Sequence, residues 1–263
     1  MIEFRDLTFT YPGGATILEN FTWSVARGEA WAVIGPSGGG KSTLLMLAAG
    51  LRRPTAGQLL VAGQPLDRPR PRTGLILQEY GLLPWATVRD NAALGLRIRG
   101  FYGRDGKHTP LDEDLGAVRE RVDRWLRRLA IDHVADQYPS QISGGQRQRT
   151  AIARTLVLRP DLLLMDEPFG ALDALTREDL QWLTLELIAE QGLTTVIVTH
   201  NIEEAVIMGR RILVLHQPPN RAAVTVENDD SAWGKRDYRS SSAFLARCNE
   251  LRGLLEGGNG AVA

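Results

Sequence analysis

Residues 35 to 43 read GPSGGGKST. Crowded glycines followed at once by a lysine and two hydroxyls are equipped to hold phosphate. Gly35, Gly40, Lys41 and Ser42 take the fixed places of G-x-x-x-x-G-K-[ST], and Pro36, Ser37, Gly38 and Gly39 fill the span between them. With no Cβ in the way, such a backbone turns its N–H groups inward and forms an anion nest at a helix N-terminus. Lys41 is expected to reach the β- and γ-phosphates of a nucleotide. Ser42 is expected to ligate Mg2+, which prefers oxygen donors. Thr43 falls on the α-phosphate side.

The run DLLLMDEP, residues 161 to 168, is an apolar strand that ends in two acids. Acids in that position are costly unless a cation or a water network receives them. Asp166 is the expected Mg2+ partner. Glu167, one residue on, is the expected general base for an attacking water.

These groups need a scaffold, and the flanking pattern supplies one. EAWAVIG is an apolar run that suits a buried strand, and KSTLLMLAAG reads as a helix closed by Gly50. Strand, glycine loop and helix are the context a phosphate loop requires. Before it, IEFRDLTFTY and FTWSVARG alternate as half-exposed antiparallel strands do. GQLLVAGQPL and TGLILQEY read as further strands, joined by the stiff, solvated connector DRPRPR. Residues 88 to 134 turn helical, with a polar surface excursion near residues 101 to 115. Strands and helices then alternate through TTVIVTH and RILVLH, and AAVTVEN and SAFLARCNELRGLLEG follow as a strand and a closing helix. The fold class is therefore α/β, with a mostly parallel sheet covered on both sides.

Composition sets limits. With 263 residues the chain has room for one large domain or two small ones. Lys plus Arg equals Asp plus Glu, 31 each, so the net field gives no push toward nucleic acid, and none is expected as a partner. Cys248 is the single cysteine, which rules out an internal disulfide and fits a packed thiol in a reducing compartment. The N-terminus lacks the basic and apolar blocks of a signal peptide. No apolar segment approaches the ~20 residues of a membrane helix.

The stretch ISGGQRQRTAIARTL narrows the class. With it the chain resembles the ATP-binding cassette family along nearly its whole length. Ser143, Gly144, Gly145 and Gln146 match that family's signature loop. The resemblance implies a P-loop core with an N-terminal antiparallel β-subdomain and an inserted helical subdomain. ATP is implied as the bound nucleotide and Mg2+ as its metal. It also implies a head-to-tail pair of subunits, in which one signature loop closes on the γ-phosphate held by the other. Tyr11 matches the aromatic that stacks on adenine. Gln78 matches the glutamine that senses Mg2+ and water, Asp173 the loop crossing the dimer interface, and His200 the histidine on the γ-phosphate. The expected division is a cassette over residues 1–217, with the helical unit at about 86–145, and a strand–helix extension over 218–263. Three positions depart from the family pattern: Ile142 stands for leucine, Gly39 for cysteine or serine, and Asn201 for aspartate. His108, His133 and His216 have no such match and read as surface residues.

QEYGLLPWATVRDNAALGLRIRG, EPFGALDALTR and THNIEEAV are similar to the ATPases of bacterial nitrate, sulfonate and taurine importers, a group that also carries thiamine-precursor pyrimidines. The resemblance implies integral membrane permease subunits and, indirectly, a solute-binding protein. It places the chain peripherally on the cytoplasmic face of the inner membrane. Pro84 and Trp85 are expected to line the groove that receives a coupling helix. An ATPase of an export or lipid-extraction system, or a soluble cassette without transport, shares the same catalytic residues.

Overall fold

The computed structural model describes residues 1–102, 115–228 and 233–257. The excursion read near residues 101 to 115 lies almost wholly outside them. The chain opens with β1 (Ile2–Thr10), β2 (Thr16–Val25), β3 (Ala30–Ile34), helix α1 (Lys41–Ala48) and β4 (Ala56–Val61). GQLLVAGQPL is not one strand. The chain reverses at Ala62 and Gly63, with φ of 53° and 75°, and returns as β5 (Gln64–Pro65). Two successive positive-φ residues give the tight reversal whose twist matches the strands it joins. β1, β2, β4 and β5 form an antiparallel sheet ordered β2-β1-β4-β5.

Next come β6 (Thr73–Ile76), α2 (Val88–Tyr102), α3 (Leu115–Arg128) and α4 (Gly144–Leu156). Then follow β7 (Leu162–Asp166), α5 (Ala174–Gln191), β8 (Thr194–Val198), α6 (Ile202–Met208) and β9 (Arg211–Val214). The last two elements are β10 (Val224–Glu227) and α7 (Ser242–Gly257). The core sheet runs β10-β9-β3-β8-β7-β6, parallel except for the antiparallel edge strand β10.

Both faces of this sheet are covered, which is why its strands read as unbroken apolar runs. Trp31, Val33, Leu162, Leu164, Val196 and Val198 pack toward α1 and the antiparallel sheet. Ala32, Ile34, Leu163, Met165 and Ile197 pack the other way, toward the helices from α2 to α7. Cys248 is buried on α7, and burial pushes its thiol up to about 11, so it behaves as a packing group.

The connector DRPRPR is less free than expected. Arg70 forks onto Asp161 with both contacts at 3.0 Å, and so pins the loop to the start of β7. A bidentate fork of this kind fixes geometry as well as adding energy.

Asn220 ties three segments together and is 5% exposed. Its Nδ2 donates to Gly39 O at 3.0 Å, and its Oδ1 accepts from His216 N at 2.8 Å. Its backbone N–H donates to Ile17 O, and its carbonyl accepts from Glu19 N, both at 3.0 Å. The loop before β10 is thus bonded to β2 and to the phosphate-type loop at once. Glu204 on α6 is a second buried polar group, 3% exposed, with one carboxylate oxygen unpartnered among the described residues. Burial raises its pKa to about 7, against the pull of a Thr199 hydrogen bond and the Arg177 charge.

Two outcomes follow for stability. Asn220→Ala leaves buried backbone groups unpaired and is expected to cost about 2–3 kcal/mol, a fall in Tm of about 5–10 °C by calorimetry. Arg221→Ala, one residue on, removes only an exposed pair with Glu19 and is expected to move stability by less than about 0.5 kcal/mol. Glu204 binds a proton more tightly folded than unfolded. Its contribution is therefore full below pH 4.5 and is lost as pH rises through 7. Glu204→Gln is expected to flatten that slope and to be more stable than the parent chain at pH 8, by up to about 3 kcal/mol. Denaturant titrations at pH 5 and pH 8 measure both; equal slopes for the two proteins would remove the assignment.

Candidate functional site

The loop between β3 and α1 begins where the parallel sheet ends. Its Gly40 has a φ of 94°, and a Cβ there would lie 2.4 Å from Ile17 Cγ2, so only glycine fits. Lys41 is 8% exposed, and its Nζ donates to Gly35 O at 3.0 Å and Pro36 O at 2.9 Å. Burial lowers its pKa, while Glu167 and Asp166 pull it back up. Ser42 Oγ donates to Asp166 Oδ1 at 3.2 Å. Burial raises the Asp166 pKa, opposed by the Ser42 bond and the Lys41 charge. A lysine, a hydroxyl and a carboxylate therefore meet at the end of a sheet that is otherwise apolar.

Tyr11 and Thr43 join the same group, hydroxyl to hydroxyl at 3.0 Å. Phe9 meets the Tyr11 ring edge-on at 4.9 Å, and the Arg52 guanidinium lies over that ring at 5.5 Å. A held aromatic with a cation on it is a stacking platform.

Glu167 follows β7 with a φ of 44°, a left-handed conformation that non-glycine residues rarely adopt. Its N–H donates to Val198 O at 2.8 Å, which holds the strained turn in place. The Oε2 of Glu167 lies 2.9 Å from His200 Nδ1 and 3.4 Å from Gln78 Nε2. The sheet explains the meeting. Asp166 registers with Val198, and Ile76 with Met165, so β6, β7 and β8 deliver Gln78, Glu167 and His200 to one edge. This arrangement can orient a carboxylate and leave its second oxygen to accept a proton.

Ser143 caps α4. Its side chain accepts from Gln146 N, and the Gln146 side chain accepts from Ser143 N at 2.9 Å, a reciprocal capping box at the start of α4, where Gly144 is half-buried and Gly145 buried. Gln146 Nε2 also lies 3.4 Å from His133 Nε2. No hydrogen bond among the described residues joins Ser143, Gly144, Gly145 or Gln146 to residues 35–43. Asp173 caps α5 through Thr176 N at 3.0 Å and is exposed.

Two residues that sequence reasoning missed support the site. Asn220 holds Gly39 from behind. Arg154 reaches from α4 to Tyr80 O and Gly81 O, both at 2.6 Å, and so braces the loop that follows Gln78. Burial lowers the Arg154 pKa. Neither residue carries a signal along the chain, since their partners are backbone carbonyls remote in sequence. Beyond the braced loop Trp85 stands 74% exposed.

Residues 18–170 match the family model described as ABC transporter. A protein of Bacillus thuringiensis subsp. konkukian named aliphatic sulfonates import ATP-binding protein SsuB is 37% identical over 94% of this chain and 91% of its own length. The taurine import ATP-binding protein TauB of Pelagibacter ubique is 38% identical over 82% of this chain and 78% of its own. The dimeric structure of MJ0796, a bacterial ABC transporter cassette by its description, superposes with a TM-score of 0.74 at 30% identity, covering 86% of this chain and 98% of that one. The family match and the near full-length likeness to import ATPases join the lysine loop, the strained glutamate and the capped glycine pair in one conclusion: the chain belongs to the ABC transporter family.

Proposed function

We propose that the chain is the ATP-hydrolysing subunit of an ABC importer, and that two copies close around two ATP to drive uptake of a small sulfonate-type anion. The observation that carries this reading is the Glu167 carboxylate, held between His200 and Gln78 beside the Ser42–Asp166 pair. Relatives named for aliphatic sulfonates and taurine support the cargo class. The alternatives of export, lipid extraction or a soluble role share the catalytic residues and lack that support.

The roles follow from position. Lys41 sets its charge against the β- and γ-phosphates, and the N–H groups of residues 35–43 receive the phosphate oxygens. Tyr11 stacks on adenine, with Arg52 on its ring and Thr43 on its hydroxyl. Among the described residues no cluster of three or more histidine, cysteine or acidic side chains is placed to hold a metal. Ser42, Asp166 and Gln78 instead offer a few hard oxygens, which fits Mg2+ sharing phosphate and water ligands. Bound there, Mg2+ supplies neutralisation of phosphate charge. Glu167 takes the proton of the attacking water, His200 holds the carboxylate and meets the γ-phosphate, and Gln78 positions the water. Ser143, Gly144, Gly145 and Gln146 of one copy close on the phosphate of the other, and Asp173 lies along that seam.

Residues 1–217 act as the cassette, with a helical unit at about 86–145. The pairing of β10 with β9 and the Asn220 bonds support reading 218–263 as an extension packed on the same domain. No helix among the described residues is long and apolar enough to cross a membrane. As in the importer ATPases the chain resembles, coupling runs through permease subunits, on whose cytoplasmic face the chain docks, with a solute-binding protein upstream. Pro84 and the exposed Trp85 form part of the receiving groove.

Glu167→Gln is expected to lower steady-state phosphate release by about a hundredfold or more and to trap a two-chain particle at saturating ATP, weighed by mass photometry. Hydrolysis at the parental rate would remove the base assignment, and a single-chain particle would remove the clamp. Purification from membranes is expected to bring down a polytopic subunit. Its absence would remove the importer reading and leave the ATPase intact.

A further inference from the structure

At the opposite edge of the sheet from the phosphate loop lies a cavity of about 700 Å3. It opens where β3 and β9 begin, beside the C-terminal half of α5 and the segment that leads into α7. β3 runs from cavity residue Ala30 to Ile34, just before Gly35, so its length of roughly 17 Å separates the two sites.

One wall is apolar. Trp182, Leu185, Ile188 and Leu193 line it, each less than 9% exposed. Trp233 faces them from the segment before α7, and its indole N–H is buried with no acceptor among the described residues.

The other wall is cationic. Arg27, Arg210, Arg211 and Arg236 line it, with Glu29 and Glu186 as the only acids among the described lining residues. Both acids are already engaged. Glu29 pairs with Arg211 at 2.8 Å and accepts from Trp31 Nε1 at 2.7 Å, and Glu186 lies 3.7 Å from Arg128. Neighbouring arginines elsewhere find acids readily, as Arg239 does with Glu178 and Glu203. Arg27, Arg210 and Arg236 have no ion pair among the described residues, and all three are exposed at this cavity.

We propose that the cavity binds a small organic anion, with a sulfonate, carboxylate or phosphate group set among Arg27, Arg210 and Arg236 and an aromatic or aliphatic body laid on the tryptophan wall. The unpaired guanidinium groups select the charge by planar, charge-assisted hydrogen bonds. The apolar wall selects the body by burial, and an inorganic ion offers nothing to that wall. The site is distinct from the nucleotide site and independent of which solute is imported.

Naphthalene-2-sulfonate, which carries both features, tests this by isothermal titration calorimetry and tryptophan fluorescence on the full chain. The expected result is one site per chain, quenching of tryptophan emission, and no displacement by saturating ATP with Mg2+. Arg210→Gln and Arg236→Gln are each expected to weaken binding about tenfold. Arg53→Gln, an exposed arginine outside the cavity, is expected to leave it unchanged. The neutral 2-naphthalenemethanol is expected to bind at least tenfold more weakly than the sulfonate. Absence of saturable binding would overturn the proposal. So would equal affinity for the neutral analogue, indifference to both cavity substitutions, or displacement by ATP, which would assign the probe to the Tyr11 platform.

Discussion

The parallel register of β3, β8, β7 and β6 is the constraint on which the site depends. Val33 lies beside Val198, Val198 beside Asp166, and Met165 beside Ile76. Neighbouring strands therefore stop level with one another, and the residue types just past each end become neighbours in space. The glycine loop follows β3, His200 follows β8, Glu167 follows β7 and Gln78 follows β6. A one-residue slip of β7 would turn Leu163 and Met165 toward the wrong layer and carry Glu167 away from His200. Two separately packed cores fix the register, so the geometry of a few polar groups is guaranteed by apolar residues that never touch them.

That arrangement concentrates charge at the end of a dry sheet. Lys41 and Asp166 are both buried, and burial pushes each toward its neutral form. Their mutual attraction opposes both shifts, while Glu167 opposes that of Lys41 and adds to that of Asp166. A polyphosphate carrying a divalent cation adds opposite charges on both sides at once, so the same burial that disfavours the isolated charges strengthens their hold on such a ligand. The strained turn at Glu167 belongs to the same economy. A φ of 44° persists because the Val198 carbonyl and the β7 ladder overdetermine it, and it aims the carboxylate at the edge of the sheet and away from the ladder.

What could be read along the chain was local. The strand–loop–helix around Lys41, the paired acids after LLLM and the capped glycines after Ser143 are contiguous patterns whose physics is set by near neighbours. α7 falls on the run read for it, Ser242 to Gly257, because its apolar spacing is regular. What escaped was remote pairing. Asn220 looks like one polar residue in a loop, yet it bonds Gly39 from far along the chain. Arg154 sits in a helix where arginine is unremarkable, yet both of its contacts are carbonyls of the loop after Gln78. Arg70 gave the look of a solvated connector until Asp161 was brought to it. The break of GQLLVAGQPL into a hairpin was missed because an alanine, not only a glycine, takes a positive φ there.

The proposed function makes one copy incomplete, and the same geometry accounts for it. Every group that can hold phosphate in the Lys41 loop or prepare water at Glu167 lies on the edge built by β3, β8, β7 and β6. The Ser143 tip belongs to α4, and its bonds run inward to Gln146 or across to His133. Under the proposed function this capped glycine tip is a second anion seat of the same physical type as the first. A γ-phosphate on the first seat would still have oxygens to offer, and a second copy would bring the other seat to them. Binding energy would then appear as closure between chains, and hydrolysis, which removes the shared phosphate, would release it. In that reading, closure around a shared ligand is the step that would do mechanical work on a permease docked beside Trp85.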